Sequence, residues 1–345
     1  MKSDICNYSK RQLEEVLGAM GHPKYRARQV FRWLYKKGVL SFDRMNDLSP
    51  ALRVALSGRF YIGTVQVKDT IVSKKDDTVK YLFELRDSNV IETAYIPQER
   101  RATVCLSSQA GCKYGCAFCA SAQAGFVRDL TVSEIVRQVL YIKFEERLPV
   151  TNIVFMGVGE PFDNYDNVVA SIRTLNDPEG PGIGARKITV STCGLVPKIR
   201  EFSREGFQVE LSVSLHSAIQ SVRSRLVPVN RAHPLEKLIG ACREYTRSTN
   251  RIITFEYVLI DGVNDSKRDA AALIRLLRGM KCKVNLIAQN RTNAPGCKPS
   301  DGKIVTVFAD TLTNAGITST VRRPRGSDID AGCGQLRINY DKNNK

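Results

Sequence analysis

The sequence predicts an α/β protein whose main body is a parallel sheet closed or curved into a partial (β/α)6 barrel, with a helical unit and a small antiparallel sheet ahead of it. Three patterns predict this. After Arg101, short runs rich in apolar and β-branched residues (TVCLSS, NIVFMG, KITVST, FQVELSVSL, IITFEYVLI, KVNLIA, ITSTVRR) alternate with helical stretches such as VSEIVRQVLYIKF and SKRDAAALIRLLRGM. That rhythm belongs to βα units, whose strands lie parallel and whose loops at the strand C-termini carry the chemistry. Ahead of them the apolar period is two between Tyr61 and Pro97, and helical over residues 8–57.

The helical unit comes first. Leu13, Val16, Leu17 and Met20 recur at helical spacing, Gly21 and Pro23 mark a stop and a restart, and Ala27, Val30, Phe31, Leu34 and Tyr35 form a second apolar stripe. With the stripes inward, Lys24, Arg26, Arg28, Arg32, Lys36 and Lys37 fall largely on the outer side. They form either a plain solvated face or a surface for phosphates. YIGTVQVKDTIVS, TVKYLFELRD and NVIETAYIP then predict a small antiparallel sheet bridging the lobes. Glu92 interrupts the last of these strands, where a lone Glu is expected to face outward. The expected divisions are residues 1–58 (helical unit), 59–100 (antiparallel connector), 101–323 (barrel) and 324–345 (C-terminal segment).

With 52 Lys and Arg against 35 Asp and Glu, the 345-residue chain carries a formal charge of +17. A polyanion partner with salt-sensitive affinity is expected. No run approaches the ~18 apolar residues of a membrane span, and MKSDICNYSK lacks the apolar core of a signal peptide, so a cytoplasmic protein without a membrane partner is expected. Ten cysteines in a reducing compartment are ligands, catalysts or small core residues rather than a disulfide framework. Cys6, Cys242, Cys282 and Cys297 stand in no motif.

The chemistry concentrates in CLSSQAGCKYGCAFCASAQAGFVRDLT, from Cys105 to Thr131. Cys112, Cys116 and Cys119 stand at CxxxCxxC spacing with Phe118 before the last. Three close thiolates without a fourth suit an iron–sulfur cluster that keeps one iron open. Structural zinc is the alternative: it wants four closed ligands, and Cys105 would have to complete the set. Further candidates follow the barrel strands. Gly157, Gly159 and Glu160 come after NIVFMG, where glycine lets backbone approach a ligand and a carboxylate can hold an amino group. Alone, GxGE is often only a turn, and His216 alone is often a structural histidine. Cys333 sits among small residues in GSDIDAGCGQL, near the C-terminus.

Taken together, CLSSQAGCKYGCAFCA, GVGEPFDN, STCGL, SLHS, GVNDS, NLIAQN and GSDIDAGCGQL stand in the order seen in one family. Over about Leu13 to Leu336 the chain resembles the RlmN/Cfr family of radical S-adenosylmethionine RNA adenine methyltransferases, RlmN more than Cfr. The resemblance implies a partial (β/α)6 barrel of the radical S-adenosylmethionine class and a [4Fe-4S] cluster on Cys112, Cys116 and Cys119. It implies S-adenosylmethionine contacts by Gly159, Glu160, Ser191, Ser214, Leu215, His216 and Asn290, whose groups suit a ribose, a carboxylate and an adenine edge.

It also implies that Cys333 carries the methyl group, that Cys105 is its partner thiol, and that Glu92 is a proton acceptor. Two thiols are needed because adenine carbon 2, between two ring nitrogens, is too electron-poor to attack an electrophilic methyl. A radical must attack the ring instead. Cys333 takes a methyl from one S-adenosylmethionine, and a second is split to a 5′-deoxyadenosyl radical that activates that methyl. Cys105 then frees the product by forming a disulfide with Cys333. The implied substrates are an adenosine of 23S rRNA and the adenosine 3′ of the anticodon in tRNAs. The implied partner is an electron donor such as flavodoxin, and the expected state is a monomer. The alternatives are Cfr-like methylation of carbon 8, a non-catalytic zinc-holding RNA-binding protein, and a radical enzyme for a small molecule. Ser121 and Ala122 after the cysteines, Val158 in GVGEP and Ala288 in NLIAQN depart from the family pattern without removing a reacting group.

Overall fold

The computed structural model describes residues 2–122, 125–288, 298–322, 325–326 and 328–329. β1 (Ser3–Asp4) leads into α1 (Lys10–Ala19), α2 (Tyr25–Tyr35) and α3 (Pro50–Arg59), and β2 (Phe60–Tyr61) pairs in parallel with β1 to close the unit. Ser9 and Gln12 form a capping box on α1, and Ser49 caps α3 ahead of Pro50, so each start carries its own hydrogen-bond acceptor. The stripes face inward as expected, with Trp33 joining Ala27, Val30, Phe31, Leu34 and Tyr35 in the core. Lys24, Arg28, Arg32, Lys36 and Lys37 are exposed, and Arg26 is half-buried. The buried residues of these helices belong to the same apolar cluster as the barrel's. Lys10 and Arg28 both reach Glu179, at 2.9 and 2.6 Å.

β3 (Gln66–Val72), β4 (Val79–Glu84) and β5 (Val90–Gln98) are antiparallel, and β5 also pairs antiparallel with β6 (Arg101–Cys105). The expected connector is therefore the continuation of the barrel sheet rather than a bridge between lobes. This changes the burial pattern. The middle of β4 and the first four residues of β5 are buried without alternation, because interior strands of a wide sheet are covered on both faces. Glu92 accordingly faces inward, against the outward placement that alternation predicts.

After β6 come a short hairpin, β7 (Gln109–Gly111) and β8 (Phe126–Asp129), and then α4 (Val132–Leu140). The remaining units are β9 (Asn152–Phe155), α5 (Tyr165–Asn176), β10 (Ile188–Thr192), α6 (Val196–Phe202), β11 (Glu210–Ser214), α7 (Gln220–Leu226), α8 (Leu235–Thr249), β12 (Ile253–Leu259), α9 (Lys267–Leu277), β13 (Cys282–Ala288), α10 (Gly302–Asn314) and β14 (Ser319–Arg322). The sheet order is β14-β13-β12-β11-β10-β9-β6-β5-β4-β3, parallel from β6 to β14. Seven parallel strands joined by six crossovers give the expected six βα units with β14 closing the last. Side chains from β4 round to β14 line a single cavity, so the sheet curves about it as a partial barrel. No helix among the described residues is long and apolar enough to cross a membrane.

Candidate active site

The cavity has a volume of ≈ 370 Å³, within the range of cofactor sites, and lies at the C-terminal ends of the parallel strands. Cys112, Cys116 and Cys119 all line it, from the loop that follows β7. The loop is pinned at both ends: Cys112 N–H donates to Gly125 O at 2.8 Å, and Ala117 N–H to Leu226 O at 3.0 Å. Burial pushes the Cys112 thiol up to about 12, with the neighbouring Cys119 adding to the shift, and Cys116 is raised in the same way by burial, Cys119 and Cys112. The three thiols thus act on one another. Among the described residues no three His, Cys, Asp or Glu side chains gather tightly enough for a single metal ion. Three soft thiolates spread round a shared cavity fit the larger iron–sulfur group. Cys105 lines the same cavity, and the charges acting most on its thiol are Arg322, Lys80 and Glu92 rather than the three motif cysteines.

Phe118 packs edge-on against His216 with ring centroids 4.4 Å apart, which joins the cysteine loop to the SLHS motif. His216 takes a left-handed backbone conformation (φ 56°), and its Nδ1 accepts the Val258 N–H at 3.1 Å. Burial, aided by the charge of Arg223, lowers it to about 3, so it is a neutral ring. Ser191 and Ser214, at the ends of β10 and β11, line the cavity with it. Leu215 does not: it is fully buried in the apolar core, on the opposite face from its neighbours.

Glu160 is buried at the cavity, its carboxylate accepting N–H bonds from Phe162 at 3.0 Å and Cys193 at 2.7 Å. Burial raises it despite those donors. Gly159 has φ 108°, and a Cβ there would stand 2.8 Å from the Gln109 backbone nitrogen. At Gly157 a Cβ would stand 2.4 Å from Leu106 O. These glycines permit close packing of their loop against the backbone of residues 106–109. Asp163 and Asn164 of the same motif brace the loops. Asp163 accepts from Gln109 Nε2, Tyr114 Oη and Lys113 Nζ at 2.8, 3.0 and 2.8 Å, and Asn164 donates to Ser108 O and Leu130 O.

The other wall holds Cys105 and Glu92. Glu92 Oε2 lies 2.8 Å from Lys80 Nζ, and both side chains are nearly inaccessible at 4% and 2% exposure. Burial raises the Cys105 thiol, while the cations Arg322 and Lys80 act to lower it. The described cysteines are all free thiols, Cys105 included, so the disulfide implied by the resemblance is not formed among them. Cys333 and Asn290 lie outside the described residues.

Lys80, Glu256 and Arg223 stand in no motif, while Asn264 belongs to GVNDS. Lys80 and Glu256 line the cavity; their signal is a charged residue inside an apolar strand, TVKYLF and ITFEYVL. Glu256 accepts from Asn285 Nδ2 at 2.7 Å and is raised by burial. Arg223, fully buried, donates to Leu215 O, Asn230 Oδ1, Cys193 O and Ser214 O, tying STCGL to SLHS. Asn264 donates to His216 O and Val258 O, both at 2.7 Å, and so fixes the histidine turn from GVNDS.

Comparison with known proteins agrees with this geometry. The model of the radical SAM superfamily matches residues 106–274, and that of the ribosomal RNA large subunit methyltransferase N-terminal domain matches residues 3–62. The chain is 50% identical, over 98% of its length and 99% of the relative's, to a protein of Caldanaerobacter subterraneus subsp. tengcongensis named "Probable dual-specificity RNA methyltransferase RlmN". A Clostridium novyi protein of the same name is 43% identical over 99% of each chain. The crystal structure of a radical SAM methyltransferase from Sphaerobacter thermophilus matches with a TM-score of 0.91 at 45% identity, covering 96% of this chain and 98% of that one. The chain therefore belongs to the RlmN family of radical S-adenosylmethionine RNA methyltransferases.

Proposed function

We propose that this enzyme methylates carbon 2 of an adenosine in 23S rRNA and of the adenosine 3′ of the anticodon in tRNAs, with Cys333 as the methyl carrier. The observation that carries the reading is one cavity faced on one side by Cys112, Cys116, Cys119 and Glu160, and on the other by Cys105 and Glu92. The first group suits a [4Fe-4S] cluster with S-adenosylmethionine, which together supply a 5′-deoxyadenosyl radical. Glu160 and Gly159 hold the amino-acid end of S-adenosylmethionine, and Ser191, Ser214, His216 and Asn290 its other polar groups. Leu215 contributes backbone only.

The Cys333 thiolate takes the methyl of one S-adenosylmethionine by displacement, S-adenosylhomocysteine leaving, and a second is consumed in activating that methyl. Once the carbon is joined to adenine, the ring proton passes to Glu92 or Cys105, and the adduct's unpaired electron would return to the [4Fe-4S] cluster that Cys112, Cys116 and Cys119 would hold. Cys105 then attacks the Cys333 sulfur: the S–S bond forms as the bond from that sulfur to the transferred carbon breaks, and reductant reopens the disulfide. Arg322 and Lys80 favour the Cys105 thiolate needed for that attack. The net charge of +17 and the exposed cations of α2 suit an RNA partner. Electrons come from a flavodoxin-type carrier.

Mass spectrometry of digested rRNA and tRNA from cells with and without the gene tests this. 2-Methyladenosine that disappears with the gene supports it; 8-methyladenosine instead assigns Cfr-like chemistry, and no change refutes both. Purified Cys333→Ala is expected to lose all turnover, and Cys105→Ala to stall as a covalent protein–RNA adduct.

A further inference from the structure

The turn between β3 and β4 makes hydrogen bonds that cross most of the sequence. It is closed locally, with Ser73 N–H donating to Thr78 O at 2.8 Å and Asp76 Oδ1 accepting from Thr78 N–H at 3.2 Å. Three further bonds leave it for the C-terminal segment. Asp76 Oδ2 accepts the Gly326 N–H at 2.9 Å. Asp328 Oδ1 accepts the Ser73 hydroxyl at 2.7 Å, and its Oδ2 the Lys74 N–H at 2.9 Å. The two segments thus exchange carboxylates: each gives one and each receives one, and every bond is charge-assisted. The clamp sits at the edge of the active cavity, since Thr78 and Lys80 on one side of it and Arg325 on the other all line that cavity.

We propose that the β3–β4 turn anchors the C-terminal segment, with Ser73, Asp76 and Asp328 as positioning residues for the thiol of Cys333. The inference rests on the reading of Cys333 as methyl carrier. Its physical content is a shortened tether. Cys333 lies five residues beyond Asp328, which bounds its distance from the clamp at about 17 Å even with the chain fully extended. Without the clamp, the nearest strand-held residue upstream among the described residues is Arg322, eleven residues from Cys333, and the bound grows to about 38 Å. Effective concentration falls as roughly the −3/2 power of tether length, so loss of the clamp lowers the thiol's presence at its reaction partners at least about threefold.

The test uses the full-length, cluster-loaded enzyme with RNA, comparing wild type with Asp76→Ala, Asp328→Ala, Asp328→Asn, Ser73→Ala and the Ser73→Ala/Asp328→Ala pair. Three quantities are read: methyl on Cys333 by peptide mass, methyladenosine formed per 5′-deoxyadenosine formed, and the melting temperature. The expected result is an unchanged melting temperature and continued 5′-deoxyadenosine formation. Methyladenosine per 5′-deoxyadenosine should fall at least about threefold in the two Asp→Ala variants. Asp328→Asn, which keeps one acceptor, should fall between, and Ser73→Ala should add nothing to Asp328→Ala. An unchanged ratio in both Asp→Ala variants overturns the anchor, as does a fall in 5′-deoxyadenosine parallel to product. Wild-type enzyme that never carries methyl on Cys333 overturns the proposed function itself, a result distinct from either.

Discussion

Replacing Lys80 by Met tests the buried pairing in the part of the cavity wall that holds Cys105. Lys80 Nζ and Glu92 Oε2 lie 2.8 Å apart with the two side chains 2% and 4% exposed. At an effective dielectric of about 20 their attraction is about 6 kcal/mol, most of it spent on desolvating the two charges. Removing one partner leaves the other's desolvation uncompensated, so Lys80→Met should lose about 3–5 kcal/mol of unfolding free energy. Lys80→Met/Glu92→Gln, with no buried charge to strand, should recover more than half of that. Urea denaturation of Lys80→Met, Glu92→Gln, the double variant and wild type closes the cycle. A second effect reaches the chemistry. Lys80 is one of the two cations that lower the Cys105 thiol, so without it the thiol is raised further and less thiolate is present at neutral pH. Product release should slow, protein–RNA adduct should accumulate, and the deficit should shrink as pH rises. Loss of under about 1 kcal/mol in Lys80→Met, or a double variant no more stable than the sum of its singles, would refute the argument from burial.

Arg223→Met strands the carbonyls of Leu215, Cys193 and Ser214 in the core; a loss of about 3–5 kcal/mol is expected by thermal or urea melting, with weakened S-adenosylmethionine binding by calorimetry. Gly159→Ala places a Cβ 2.8 Å from Gln109 N at φ 108°, and should cost more than about 1 kcal/mol of stability and lower S-adenosylmethionine affinity in the same titration. Glu179 is held down to about 2 by Arg28 first and Lys10 second, against an ordinary 4.5. Its folded value being the lower one, its contribution is present above the ordinary value and lost as pH falls through about 2. Glu179→Gln should therefore cost about 1 kcal/mol near neutral pH, solvent screening at this site included. That difference from wild type should shrink as pH falls from about 4.5 and vanish below about 2 in urea titrations.

What the sequence made legible was whatever local spacing encodes. CxxxCxxC is read within eight residues, and a βα crossover announces itself because its strand is apolar on both faces and its helix on one. The placements that escaped depend on which strands become neighbours. Outward placement of Glu92 follows from period-two alternation only if one face of its strand meets water. β5 instead pairs with β4 and β6 inside a sheet that curves round the cavity, so both faces are covered and the charge must find Lys80. Alternation also decides the neighbouring motif. Ser214 and His216 turn toward the cavity, which sends Leu215 to the core although it stands in the same short run. Arg223 was invisible, and the bracing roles of Asn264 and Gln109 unreadable inside their motifs, for a third reason. Their partners are backbone carbonyls and N–H groups freed where strands end in loops, up to 51 residues away in the chain. A barrel that keeps its reacting groups on loops leaves such backbone groups unpaired in the interior, and each must be satisfied by some buried polar side chain. Such residues should therefore be sought beside every such loop of this fold, because without them the glycines and serines that line the cavity would have no fixed position.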